Sequence, residues 1–252
     1  MKSSRRMGQK LRGVWVIAKK DTGIYYFKAP VLIFGLVFPF FLFLAFAIGR
    51  DISPLFLFPG IIGITLFFTA SSVGPIIMPW ETRMKTLERL LSCPVSIQSI
   101  LLGDILAGFL FGIIISLVPL LFGLLGFGLT INNLAIFILG ILFSSFCFSS
   151  LGVLLSSPPT DNPSNIMMLS NLVRLPIMFI SGIFIPIEEL PAAGKIIANF
   201  SPLTYTVDLL RYVFQGVSYY SVTRNILMLI LFLIIFLVLG MRLHKRNLAK
   251  RL

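Results

Sequence analysis

Histidine occurs once and cysteine twice in this 252-residue sequence. His244, Cys93 and Cys147 lie far apart, which gives neither a disulfide framework nor the spacing of a metal site. Charge is also scarce. Asp, Glu, Lys and Arg make up 12% of the chain, where a soluble domain carries about 25%. Hydrophobic residues reach 57%, and the mean hydropathy is +0.99. There is too little polar surface to face water on every side, so a soluble enzyme or regulator is excluded. The sequence holds no G-x-x-x-x-G-K-[ST] loop for ATP, and neither H-E-x-x-H nor G-x-S-x-G. Its apolar runs contain no paired carboxylates, no His cluster and no nucleophile with a base. No catalytic residue, metal site or cofactor of its own is expected.

What remains is an all-α integral membrane protein. A helix needs about 20 apolar residues to cross the hydrocarbon layer. Six runs qualify: Ala29–Gly49, Leu55–Met78, Ile100–Phe127, Leu134–Ser156, Ile166–Ile187 and Asn225–Met241. Pro39, Pro119 and Pro176 fall inside them and should kink a helix or free a carbonyl. The first run is too long for the apolar core of a cleavable leader, and none is expected. Residues 1–252 read as one transmembrane domain without repeats.

The net charge of +12 is concentrated at the ends. Eight Lys and Arg precede the first run, three (Arg83, Lys85, Arg89) lie between the second and third, and five follow the last. With both termini in the cytoplasm, these sixteen face four (Arg50, Lys195, Arg211, Arg224) on the outside. That asymmetry predicts a multi-pass protein of the cell membrane with cytoplasmic N- and C-termini. The basic flanks suit anionic lipid head groups rather than nucleic acid. Residues 242–252 read as a solvated basic tail, His244 included.

Residues 1–28 form no span. Leu11, Val14, Trp15, Ile17 and Ala18 recur at helical spacing among basic residues. This predicts an amphipathic helix lying in the inner interface, after a disordered leader of residues 1–8.

The connection over 80–98 is too long and too patterned for a simple loop. Met84, Leu87, Leu90 and Leu91 share a helical face, Glu81 and Lys85 stand at i,i+4, and Pro94 ends the helix. A short amphipathic helix asks for a docking partner. Glu81-x-x-x-x-Thr86-Leu87-Glu88-x-x-Leu91-x-x-Pro94-Val95-Ser96 resembles the coupling-helix segment of the permease subunits of type-2 ABC exporters. The resemblance implies that Glu81, Arg83, Thr86, Leu87, Glu88 and Leu91 contact an ATP-binding subunit. The family often has Gly where this chain has Lys85, and Lys where it has Asp104.

A second stretch carries the same resemblance. Ser181-Gly182-x-Phe184-x-Pro186 closes the fifth run, and Ser201-Pro202-Leu203-Thr204-Tyr205 opens a helix that holds Asp208 and Arg211 and ends at Gly216. Ser201 suits the N-cap, Pro202 the first turn, and Asp208 and Arg211 an i,i+3 ion pair. In the family such a segment, here 188–224, forms a re-entrant helical hairpin that closes the external end of the pathway. Phe184, Pro186, Pro202, Tyr205, Asp208 and Arg211 are its expected gate residues, unless the two charges only hold the hairpin together. The resemblance extends from about Trp15 to Arg242.

Arg174 is the one charge deep inside a run, with Asn171 three residues before it. An intramembrane Arg is costly unless it faces protein or water. It is expected either to line the pathway together with Asn171, or to snorkel or pair with Asp161 or Asp104.

The resemblance implies a permease that forms the pathway with a second copy, or a sister chain, and is driven by two ATP-binding subunits that hold the ATP. A Phe-rich, charge-poor pathway favours drugs or other amphiphilic cargo. Polysaccharide or ion export by the same architecture, and an ATP-independent channel or secondary transporter, are the alternatives.

Overall fold

The computed structural model describes residues 2–25, 33–47, 53–93 and 95–251, and every regular element among them is helical. Helix α1 is Lys2–Tyr25. A wide π-type turn, Ile33–Val37, leads into α2, Phe38–Ala47. The ends of the first expected span, Ala29–Gly49, lie outside the described residues.

The second expected span is two helices, α3 (Pro54–Ala70) and α4 (Val73–Arg83), separated by a turn at Ser71–Ser72. Both serines turn their hydroxyls back onto carbonyls one turn earlier, Ser71 to Phe67 at 2.6 Å and Ser72 to Phe68. Such back-bonding weakens the helical ladder where it occurs. A short helix, α5 (Thr86–Ser92), follows. Cys93, held extended ahead of Pro94, stops it.

The next elements are bounded as their sequences dictate. Helix α6 is Ile97–Phe127, opened by the Ser96 hydroxyl and closed by Gly128 at φ 64°. Helix α7 is Leu134–Leu155, capped by Asn133, and α8 is Pro163–Phe179, capped by Asn162. Helices α9 (Ala192–Ala198) and α10 (Pro202–Gln215) precede α11, Val222–Asn247. Four stretches of the described residues are long and apolar enough to cross a membrane: Leu55–Arg83, Ile97–Phe127, Leu134–Leu155 and Val222–Lys250. The expected span Ile166–Ile187 is corrected. Its helix starts at Pro163 and stops at Phe179, because Pro176, a left-handed Gly182 (φ 76°) and Pro186 leave no ladder to continue.

The core lies between α3, α7 and α10, where Phe67 meets Phe148 edge-on at 5.0 Å. Helices α6 and α7 approach closely, since a Cβ on Gly108 would stand 2.4 Å from the Ser149 hydroxyl. Ser145 and Ser149 donate across that seam to the carbonyls of Phe109 and Ile105, at 2.8 and 2.7 Å. Small residues and bridging hydroxyls are the usual cement between helices in lipid. Outward-facing Leu121, Leu125, Leu227 and Leu231 are exposed, as hydrocarbon around the bundle allows.

Candidate functional site

Four places gather the polar residues. The first is the junction of α1, α4, α5 and α6. Gly103 of α6 lets α1 settle on it, with Ile17 where a Cβ would stand. Lys20 of α1 then reaches Glu81 on α4 and stands 3.0 Å from Asp21. Asp104 of α6 is buried beside Asp21. One ammonium thus serves three carboxyl groups. Burial alone would lower the Lys20 pKa, but Glu81 and Asp21 outweigh it and hold the ammonium above its ordinary value. Burial pushes the Asp21 carboxyl above the usual carboxylate range, against the pull of Lys20.

This arrangement corrects the reading of the 80–98 connection. Glu81 and Leu87 do not stand on the outer surface. Glu81 is 1% exposed and turned to Lys20, and Leu87 is packed with Ile17, Met78, Ile100 and Leu101. The Glu81–Lys85 pair does not form. Lys85 instead adopts a left-handed conformation (φ 55°) at the corner between α4 and α5 and points outward. The left-handed region is nearly free for Gly and costly for other residues, which accounts for the Gly common here in the resembling family. Arg83 is exposed, and Thr86, Glu88 and Leu91 are half-buried, so these four keep surface available.

The second place is the opposite end of the bundle. As expected, Pro202 opens α10 and Gly216 closes it at φ 74°. Ser201 does not cap with its side chain. Its hydroxyl lies 3.3 Å from the Ile177 carbonyl of α8, which it meets as donor. The Asp208–Arg211 ion pair is also corrected. Asp208 accepts from the Tyr219 and Tyr220 N–H groups at 2.8 and 2.9 Å and from the Asn225 amide at 2.8 Å. Arg211 donates to the Gly182 carbonyl at 2.6 Å and lies over the Phe56 ring at 4.5 Å. Each charge finds a better-placed partner across the bundle than along its own helix. Tyr205 donates to the Asn199 carbonyl at 2.9 Å, and the Asn199 side chain accepts from Tyr220 at 2.8 Å. Phe184 packs near Phe179, ring centres 5.5 Å apart, and Pro186 precedes the short turn Ile187–Glu189.

The third place is mid-bundle. Arg174 is fully buried and donates to the Ser72 hydroxyl at 3.0 Å. It pairs with neither Asp161 nor Asp104. Asn171 is half-buried on the neighbouring face of α8, and its carbonyl oxygen lacks a partner.

The fourth place is the tail, and its reading is corrected as well. His244 is not solvated but 1% exposed, with Nε2 3.2 Å from the Ser156 hydroxyl and 2.8 Å from the Val153 carbonyl. Asn247 donates to Ser157 at 3.0 Å, and Arg251 donates to the carbonyls of Ser156 and Pro158. The end of α11 therefore caps the carbonyl end of α7. Sequence reasoning missed this cap, together with the roles of Lys20, Asp21 and Ser72. The one available signal was the spacing of His244, Asn247 and Arg251 at i, i+3 and i+7.

The family model for the ABC-2 type transporter matches residues 13–215. Two curated relatives are nodulation protein J of Rhizobium leguminosarum bv. trifolii, 28% identical over 112 residues, and of R. leguminosarum bv. viciae, 29% identical over 112 residues. Each match covers 44% of this chain and 42% of the relative. The matched stretch thus spans under half the length of either relative. The family match takes in most of the chain, from within α1 to the end of α10, and with it the whole junction at Glu81 and the helix that carries Asp208. The chain is a member of the ABC-2 type transporter family, the membrane-embedded permease components that normally work with an ATP-binding subunit.

Proposed function

We propose that this chain is the permease subunit of an ATP-driven exporter, in which two permease chains form the pathway and two ATP-binding subunits drive it. The observation that supports it most is the family match over residues 13–215. Six spans, counting the run Ala29–Gly49 and helix α8 (Pro163–Phe179), set both termini and the α4–α5 corner in the cytoplasm. At that corner Arg83, Thr86, Glu88 and Leu91 form the docking face for the ATP-binding subunit. Glu81 acts from behind as the link that ties the corner to α1 through Lys20. Motion of the corner passes along α4, and the region of Phe184, Pro186, Pro202, Tyr205, Asp208 and Arg211 gates the external end. Helix α8, with Met168 and Leu172 exposed on its outer face, contributes to the contact with the second permease. Arg174 and Asn171 belong to the pathway wall. The apolar, Phe-rich bundle suits drugs or other amphiphilic molecules as cargo.

Co-expression with an ATP-binding subunit from the same genome, followed by affinity purification, tests the reading. Wild-type chain is expected to retain the partner, and an Arg83→Glu/Glu88→Lys variant to lose most of it. Retention equal in both would move the docking face elsewhere. A wild-type chain that captures no ATP-binding subunit would overturn the motor-driven reading.

A further inference from the structure

Arg174 is the largest fully buried side chain in the described residues, and only one of its nitrogens is satisfied. Nη1 meets the Ser72 hydroxyl at 3.0 Å, while Nε and Nη2 have no partner. No described carboxylate pairs with the guanidinium. The Phe68 ring lies 5.8 Å from the guanidinium carbon. A buried cation with free donors is among the least stable arrangements a bundle can hold, unless an anion completes it.

The partner of Arg174 is not an arbitrary serine. Ser72 is the N-cap of α4, at the break in the second span. Ser71 and Ser72 keep right-handed backbone, and Pro75 has no N–H, so the break offers the guanidinium a side chain rather than a row of free amides. The Ser72 hydroxyl is already committed as a donor to the Phe68 carbonyl, so it meets Arg174 as an acceptor. On α8, Ser170 stands one turn before Arg174, buried on the same face, and its hydroxyl is also unpartnered. Ser72 lies 11 residues from Arg83, as Arg174 does from Pro163, or about 16 Å along each helix. That depth is inside the hydrocarbon layer.

We infer that Arg174 and Ser170, beside the turn between α3 and α4, form a binding site for a single anionic group, a phosphate or carboxylate on an otherwise apolar molecule. The inference rests on the pathway role proposed for Arg174 and names the head-group chemistry of the cargo or of a bound lipid. A guanidinium offers a two-pronged face that fits phosphate and carboxylate oxygens alike. The surrounding apolar helices accept the tail.

The test uses the purified full-length chain in a neutral detergent and needs no ATP-binding subunit, so it fails or succeeds independently of motor docking. Native mass spectrometry compares retained phosphatidylglycerol with phosphatidylcholine, and thermal unfolding is followed with and without inorganic phosphate. Wild type is expected to favour phosphatidylglycerol by about tenfold. Arg174→Gln is expected to lose that preference. Arg174→Lys keeps the charge without the fork and is expected to retain part of it, which covers the case in which Arg174→Gln does not fold. Stabilisation by inorganic phosphate that disappears in Arg174→Gln and is weakened in Arg174→Lys would assign the site to a soluble anion and support it equally. A preference for phosphatidylglycerol that survives undiminished in both variants would place the anion at the basic chain ends and overturn the site. No preference for any anion in wild type would overturn it too.

Discussion

At the scale of single residues, the charges of α10 are held across the bundle and not by each other. Asp208 collects three donors, two from the backbone of the turn before α11. Hydrogen bonds to a charged group contribute about 1.5–3 kcal/mol each when one is deleted. Asp208→Asn is therefore expected to lower the unfolding temperature of the detergent-solubilised protein markedly. Arg211→Lys is expected to do so separately, by releasing the Gly182 carbonyl. The double variant should show the sum of the two losses within about 0.5 kcal/mol. A larger coupling energy would restore the ion pair that the i,i+3 spacing suggests. Lys85 gives the opposite kind of prediction. Its left-handed backbone costs roughly 1–2 kcal/mol for a residue with a Cβ, partly offset by the greater freedom Gly has when unfolded. Lys85→Gly should raise the unfolding temperature slightly, and a fall would mean that the lysine side chain itself holds the corner.

At the scale of elements, the bundle depends on close helix contacts that a single methyl group would break. Gly74 of α4 and Gly152 of α7 face each other with no side chain between them. A Cβ on Gly152 would stand 2.5 Å from the Ser71 carbonyl oxygen, and one on Gly74 would stand 2.7 Å from the Gly152 carbonyl carbon. Backbone cannot step aside as a flexible side chain does. Gly152→Ala is expected to cost about 1–3 kcal/mol, read as a lower unfolding temperature and a smaller monodisperse fraction after extraction. Gly126→Ala on α6, where the nearest atom is 3.9 Å away, should be tolerated. The same scale shows what the sequence made legible. The end of α6 at Phe127 and the start of α7 at Leu134 lie where the apolar runs stop and start, because the chain turns there at Gly128 and Asn133 by local chemistry, whereas the start of α6 lies three residues before its apolar run. The burial of Glu81 and His244 was not legible, because it depends on which helix lies across them. The early end of α8 at Phe179 was hidden for a related reason: hydropathy counts apolar residues and does not see that Gly182 turns left-handed.

At the scale of the whole molecule, one buried cluster joins three parts of the chain that hydropathy treats separately. Lys20 and Asp21 come from α1, Glu81 from the end of α4 and Asp104 from the start of α6. Three carboxyl groups around one ammonium leave an excess of negative charge, and burial raises the Asp21 carboxyl above its ordinary range. An acid whose pKa is higher folded than unfolded binds its proton more tightly in the folded state. The stability it contributes is complete below the ordinary carboxylate pKa of about 4 and is lost as the pH rises through the raised value. Lys20 adds no slope in that window, since its own raised pKa lies far above neutrality. The unfolding temperature of wild type, compared with that of Asp21→Asn, is therefore expected to gain as the buffer is acidified from neutrality towards the ordinary carboxylate pKa of about 4. The asparagine keeps the shape of the side chain and has no proton to bind, so the difference between the two curves isolates this group from the general effect of acid. A difference that stays flat across the range would show that Asp21 is ionised throughout and that Lys20 alone balances the junction. A difference that grows towards high pH would reverse the sign and mean that the charge on Asp21 holds α1 to the bundle.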